Sequence, residues 1–128
     1  MRKIGRTELD RILKRNACEI LFIRRRPERA SSRPFFRRMI CSNSMNILNT
    51  ENGIRSLNFH PPRGGKQLNE NYHKIVVVWD IIMQDYRNVS MDKCFLVETI
   101  KEDDFWDFYS KKLQPMSAAD KLQYMDSL

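Results

Sequence analysis

About six short runs of β-branched and aromatic residues follow one another along this chain, each closed by a polar or Gly/Pro-bearing turn. No long helical pattern separates them. That punctuation favours antiparallel pairing, because parallel strands need crossover connections of a dozen or more residues. Cys18 to Arg24 is apolar on both alternating sets, as a strand covered on both faces would be. In Phe35 to Ser42, Phe36 and Ile40 point one way and Phe35, Met39 and Cys41 the other. Met45 to Phe59 carries Asn52-Gly53 between two short apolar segments, which predicts a hairpin. His60-Pro61-Pro62-Arg63-Gly64-Gly65-Lys66 cannot continue a ladder and is a loop. Lys74 to Ile82 is the core strand, with Val76 and Val78 on one face and Val77 and Trp79 on the other. Tyr86 to Ser90 and Cys94 to Ile100 complete the series, which implies an antiparallel barrel or a sharply curled sheet.

Helical signals stand only at the two ends. Thr7 reads as an N-cap with Asp10 in the reciprocal position, and Leu9, Ile12 and Leu13 share a face, so a helix over 7–15 is expected, with a stop at Asn16. Glu102-Asp103-Asp104 puts negative charge where a helix start favours it. Phe105, Trp106, Phe108, Tyr109 and Leu113 then make an apolar stripe suited to docking on the sheet. Pro115 ends that helix, and Ser117 to Asp120 restarts a last one.

With 128 residues the chain has the size of one domain, taken as 1–128. The longest apolar stretch, Ile75 to Trp79, is far too short to span a bilayer, so no membrane partner is expected. The basic start has no apolar h-region behind it, and Glu8 and Asp10 come too early for a transit peptide; a cytoplasmic protein is expected. Cys18, Cys41 and Cys94 are odd in number and far apart, which argues for free thiols in a reducing compartment. With His60 and His73 they form no close ligand spacing, so neither a metal nor any other cofactor is expected.

Three pieces between Ala17 and Ile100 resemble a group of small tailed-phage proteins with an SH3/Sm-like barrel, related to the WYL domains. They are Cys18-Glu19-Ile20-Leu21-Phe22-Ile23; Arg38-Met39-Ile40-Cys41-Ser42, similar to that family's R-M-x-C-T strand; and Val77-Val78-Trp79-Asp80, followed after five residues by Tyr86-Arg87-Asn88-Val89, similar to its V-W-D…W-R-S-F hairpin. The chain departs from the pattern in an arginine-rich loop where the family has a short Asp-Gly turn, in Ser42 for Thr and in Tyr86 for Trp. The resemblance implies a mainly β (α+β) protein: a small SH3/Sm-like antiparallel barrel over 17–100, flanked by the helix at 7–15 and a helical segment at 103–127. It implies a viral origin in an infected bacterial cytoplasm and, by analogy with WYL and Sm-type barrels, contact with nucleic acid or a small nucleotide.

Charge bears most directly on function. Residues 1–66 hold 16 Lys and Arg against 5 Asp and Glu, or +11, whereas residues 67–128 hold 7 against 11, or −4. Arg24, Arg25, Arg26, Arg29, Arg33, Arg37 and Arg38 fall within fifteen residues, beside Phe35 and Phe36. Planar guanidinium forks grip phosphate oxygens, and neighbouring aromatic rings offer stacking platforms for bases. Arg63 and Lys66 lie in a loop that lacks the spacing of a phosphate-binding loop and is read as a basic lining of the same face. These eleven residues form the expected nucleic-acid-binding surface of an accessory protein acting in transcription, replication or RNA handling. The alternatives are an adaptor or inhibitor that offers the arginines to an acidic host protein, and a small-nucleotide module.

Trp79-Asp80 and Tyr86-Arg87 are expected to pair across a hairpin, with Asp80 and Arg87 as an ion pair. His60 and His73 have no carboxylate, Ser or Cys partner at a recognisable spacing, so no catalytic residue is assigned and a binding protein, not an enzyme, is expected. The acidic start of the C-terminal segment is expected to screen the arginine loop.

Overall fold

The computed structural model describes residues 1–23, 36–62 and 74–127. Six antiparallel strands make one sheet: β1 (Arg2–Lys3), β2 (Ala17–Ile23), β3 (Phe36–Ser42), β4 (Ile75–Asp80), β5 (Asp85–Ser90) and β6 (Cys94–Ile100), in the order β1-β6-β2-β3-β4-β5. Around it lie α1 (Arg6–Leu13), α2 (Met45–Leu48), α3 (Glu51–Ser56), α4 (Glu102–Phe108), which runs on into a π-helical turn (Tyr109–Leu113), and α5 (Ala118–Met125). The protein is mixed α+β on a single antiparallel sheet. The sheet is not closed: β1 and β5 are its edges among the described residues.

Both faces of the sheet are covered, which is why β2 is apolar on both of its alternating sets. On one face Cys18, Ile20, Phe22, Met39, Cys41, Val76, Val78 and Val89 pack under Leu9 and Leu13 of α1. On the other, Ala17, Ile40, Trp79 and Ile100 meet Ile47 and Leu48 of α2, Phe105 of α4 and Leu113. Phe105 and Trp79 are wholly buried, and truncating a side chain of either size in such a site costs about 3–5 kcal/mol. The aromatic stripe of α4 therefore docks on the sheet, as its composition suggests.

Two local readings are corrected. Asn52-Gly53 does not turn a hairpin; it lies inside α3. Thr50 caps that helix, its Oγ1 accepting the Gly53 N–H at 2.9 Å, so the Thr-x-x signal overrides the Asn-Gly turn signal. Gly53 is needed for closeness rather than for a turn, because a Cβ there would collide with the Leu48 carbonyl at the end of α2. The first helix starts at Arg6 with Gly5, not Thr7, at its N-cap. Ile4 is tied into the sheet by its N–H to the Cys94 carbonyl at 2.9 Å, so the chain turns at the very next residue. Helix α1 ends at Leu13, and Asn16 has a second duty: its Oδ1 accepts the Glu102 N–H at 3.1 Å and so caps α4.

Candidate functional site

Strands β2 and β3 pair without a break from Ala17↔Ser42 to Ile23↔Phe36. Residues 24–35 therefore leave and re-enter the sheet at two adjoining strand ends. Of the expected surface, Arg24, Arg25, Arg26, Arg29, Arg33 and Phe35 belong to that segment and, with Arg63 and Lys66, lie outside the described residues. Phe36, Arg37 and Arg38 are described. Phe36 is half-buried at the start of β3.

The two arginines are drawn into the protein. Arg37 is only 17% exposed, and its Nη2 donates to Asp80 Oδ2 at 2.8 Å and to the Met125 sulfur at 3.5 Å. The other oxygen of Asp80, Oδ1, accepts the Ile82 and Met83 N–H groups, each at 3.0 Å, and so holds the β4–β5 turn. Burial pushes the Asp80 carboxyl pKa up from the ordinary carboxylate value, and the Met83 N–H and the Arg37 charge oppose that rise. Arg38, 15% exposed, donates from Nη1 to Glu19 Oε2 at 2.9 Å and from Nε to the Ser127 carbonyl at 3.2 Å. Its guanidinium carbon lies 6.0 Å from the centre of the Tyr124 ring, whose hydroxyl donates to the same Glu19 oxygen at 2.7 Å. Burial first, and then that bond to a carboxylate, push the Tyr124 hydroxyl pKa far up.

The expected Asp80–Arg87 pair does not form. Trp79 stands opposite Tyr86, ring centres 4.8 Å apart, as expected. The same register sets Asp80 against Asp85 and Arg87 against Val78. Arg87 bonds Asp85 Oδ2 at 3.1 Å instead, which leaves Asp80 to Arg37. Glu19 and Tyr124 were missed by sequence reasoning. The available signal was a lone carboxylate in an apolar strand (Glu19 among Cys18, Ile20 and Leu21, Asp80 after Trp79), since buried acids are nearly always paired.

The Glu102 N–H is held by Asn16, just before β2. The arginine loop that the acidic residues 102–104 are expected to screen lies outside the described residues. The segment that does lie against the β3 arginines is α5.

At the opposite end of β3 an open groove of about 370 Å³ is lined by Val77, Met45, Phe59, Tyr86 and Asn43, among others, and no charged residue stands among its described lining. His60 packs edge-on against Trp79 at 5.3 Å, and its carbonyl accepts the Tyr86 hydroxyl at 2.8 Å. All three cysteines are buried, Cys18 opposite Cys41 across β2 and β3. Burial pushes the Cys94 thiol pKa up to about 12. Among the described residues no group of three His, Cys, Asp or Glu is placed to hold a metal ion, and no helix is long and apolar enough to cross a membrane.

Compared with protein-family models, with curated proteins and with solved structures, the chain shows no significant match.

Proposed function

We propose that this protein is a phage-type accessory binding protein, not an enzyme, which contacts DNA or RNA phosphates through the arginine-rich end of its β2–β3 hairpin and so modulates transcription, replication or RNA handling. One observation carries the reading. Ile23 and Phe36, the described residues that flank a stretch with five arginines in its sequence, pair with each other at one end of the sheet. Positive charge gathered at one pole attracts a polyanion far more strongly than the same charge spread over a surface. The sheet order supports the small-barrel part of the reading: β2 to β5 meander, and β6 returns beside β2, as a curled five-strand sheet requires.

Binding of labelled dT20 and rU20, followed by anisotropy between about 50 and 200 mM salt, tests the proposal. The expected result is affinity that falls steeply with salt, and a shallower slope in an Arg24→Ser/Arg25→Ser/Arg26→Ser variant with little dependence on base sequence. Salt-independent binding, or an unchanged triple variant, removes the nucleic-acid reading and leaves an acidic protein as the partner to seek.

A further inference from the structure

Helix α5 lies against the β3 arginines, and of its eight residues only Met125 is buried, while Tyr124 packs part-buried on the second core cluster, that of Trp79 and Phe105. Leu122 faces solvent. An eight-residue helix has marginal stability by itself, so its position depends on what it touches. Besides the apolar packing of Tyr124 against the second core cluster, it touches the two β3 arginines and Glu19, the counter-ion of Arg38. The Met125 sulfur accepts from Arg37, the Ser127 carbonyl accepts from Arg38, the Tyr124 ring covers Arg38, and the Tyr124 hydroxyl donates to Glu19, the carboxylate that pairs with Arg38. These groups occupy a guanidinium face and donors of the kind that a phosphate would use.

We propose that α5 is an internal competitor for the arginine end: a strap whose docking on Arg37 and Arg38 lowers the affinity for a polynucleotide, and which a bound polynucleotide displaces. The inference rests on the nucleic-acid reading above and supplies its regulation. Three physical facts support it. Ser127 offers Arg38 a neutral carbonyl, whereas phosphate offers charged oxygens and roughly twice the hydrogen-bond strength. Elements with few buried apolar contacts are the ones that open first. Arg37 and Arg38 stand next to Phe36 at the start of β3, adjacent in sequence to the five arginines of residues 24–35. Competition is reciprocal: whatever α5 costs the polynucleotide, the polynucleotide costs α5.

The test uses the full-length chain with dT20 at low salt. A Tyr124→Ala/Met125→Ser variant, which removes the strap's main holds, is expected to bind about fivefold tighter or more. The milder Tyr124→Phe, which keeps the packing and loses only the bond to Glu19, is expected to bind about twofold tighter, and it serves if the double variant does not fold. In the parent, adding dT20 is expected to speed amide hydrogen exchange across residues 118–127. Equal affinities in parent and variants, or slower exchange of α5 on binding, overturn the strap and leave the arginine interface standing. If neither parent nor variant binds dT20 or rU20 at all, both readings fall.

Discussion

Replacing Gly53 with alanine should reverse the usual sign of that substitution. In an ordinary helix interior, Gly→Ala gains about 1 kcal/mol from backbone entropy. Here the new Cβ would collide with the Leu48 carbonyl oxygen and stand 2.5 Å from that of Ile47 and 2.6 Å from the Leu48 carbonyl carbon. All three are backbone atoms at the end of α2, whose Ile47 and Leu48 are core residues. They cannot yield as the tip of a flexible side chain could. Overpacking of this kind costs about 1–3 kcal/mol, and the rigid neighbours argue for the top of that range. Subtracting the propensity gain leaves a net loss of about 2 kcal/mol, equivalent to a fall of about 8 °C in Tm for a chain of this size. Urea unfolding followed by tryptophan fluorescence reads the same loss as a lower midpoint at unchanged slope. Thr50→Ala provides the scale: it removes the cap on the Gly53 N–H and should cost about 1 kcal/mol. A Gly53→Ala variant as stable as the parent, or more so, would refute the close approach of α3 to α2.

Val78 is fully buried and Val77 is 41% exposed, so Val78→Asp should cost several kcal/mol while Val77→Asp stays within about 0.5 kcal/mol; equal melting of the two by circular dichroism would contradict the assignment of faces. The three thiols should resist iodoacetamide in the native protein at pH 8 and react only as the chain unfolds, a rate that mass spectrometry can compare with global unfolding. Because the Cys94 pKa rises from 9.0 to about 12 on folding, its contribution to stability should be intact below pH 9 and lost as pH climbs toward 12; alkaline melts of Cys94→Ala should lack that part of the decline. Asp80 also holds its proton more tightly in the fold, so its contribution should fall as pH rises from 3.8 through its raised value, and Asp80→Asn should flatten the stability profile in that window. Arg37→Met, which strands the Asp80 carboxylate, should cost about 3–5 kcal/mol in chemical denaturation, and a neutral result would mean that the pair is solvated.

Sequence by itself determined the parts whose causes lie within a few residues of one another. The positions of β2 and β6 follow from apolar runs and their turns, and Cys94–Ile100 begins and ends where the pattern says. Strand β4, by contrast, stops at Asp80 rather than at the expected Ile82, because Asp80 Oδ1 takes the Ile82 and Met83 N–H groups into a turn. Ser117 and Asp120 form the reciprocal cap of α5 with bonds of 3.1 and 3.2 Å, as their spacing of three implies. Trp79 faces Tyr86 because a short turn between two strands sets their register. Tertiary structure alone decided the rest. Asn52-Gly53 is a turn signal that became helix because Thr50 caps it and the carbonyls of α2 sit where only a glycine fits. The start of α1 moved to Gly5 because Ile4 is bound to β6, ninety residues further along the chain. The arginine cluster reads as one stripe of positive charge, yet Arg37 and Arg38 are neutralised by Asp80 and Glu19, 43 and 19 residues away, and Arg38 is covered by Tyr124, 105 residues from Glu19. Helix caps and strand alternation are local energies that a window of residues contains. Ion-pair partners depend on which distant strands lie side by side, and that is settled only when the whole sheet has formed.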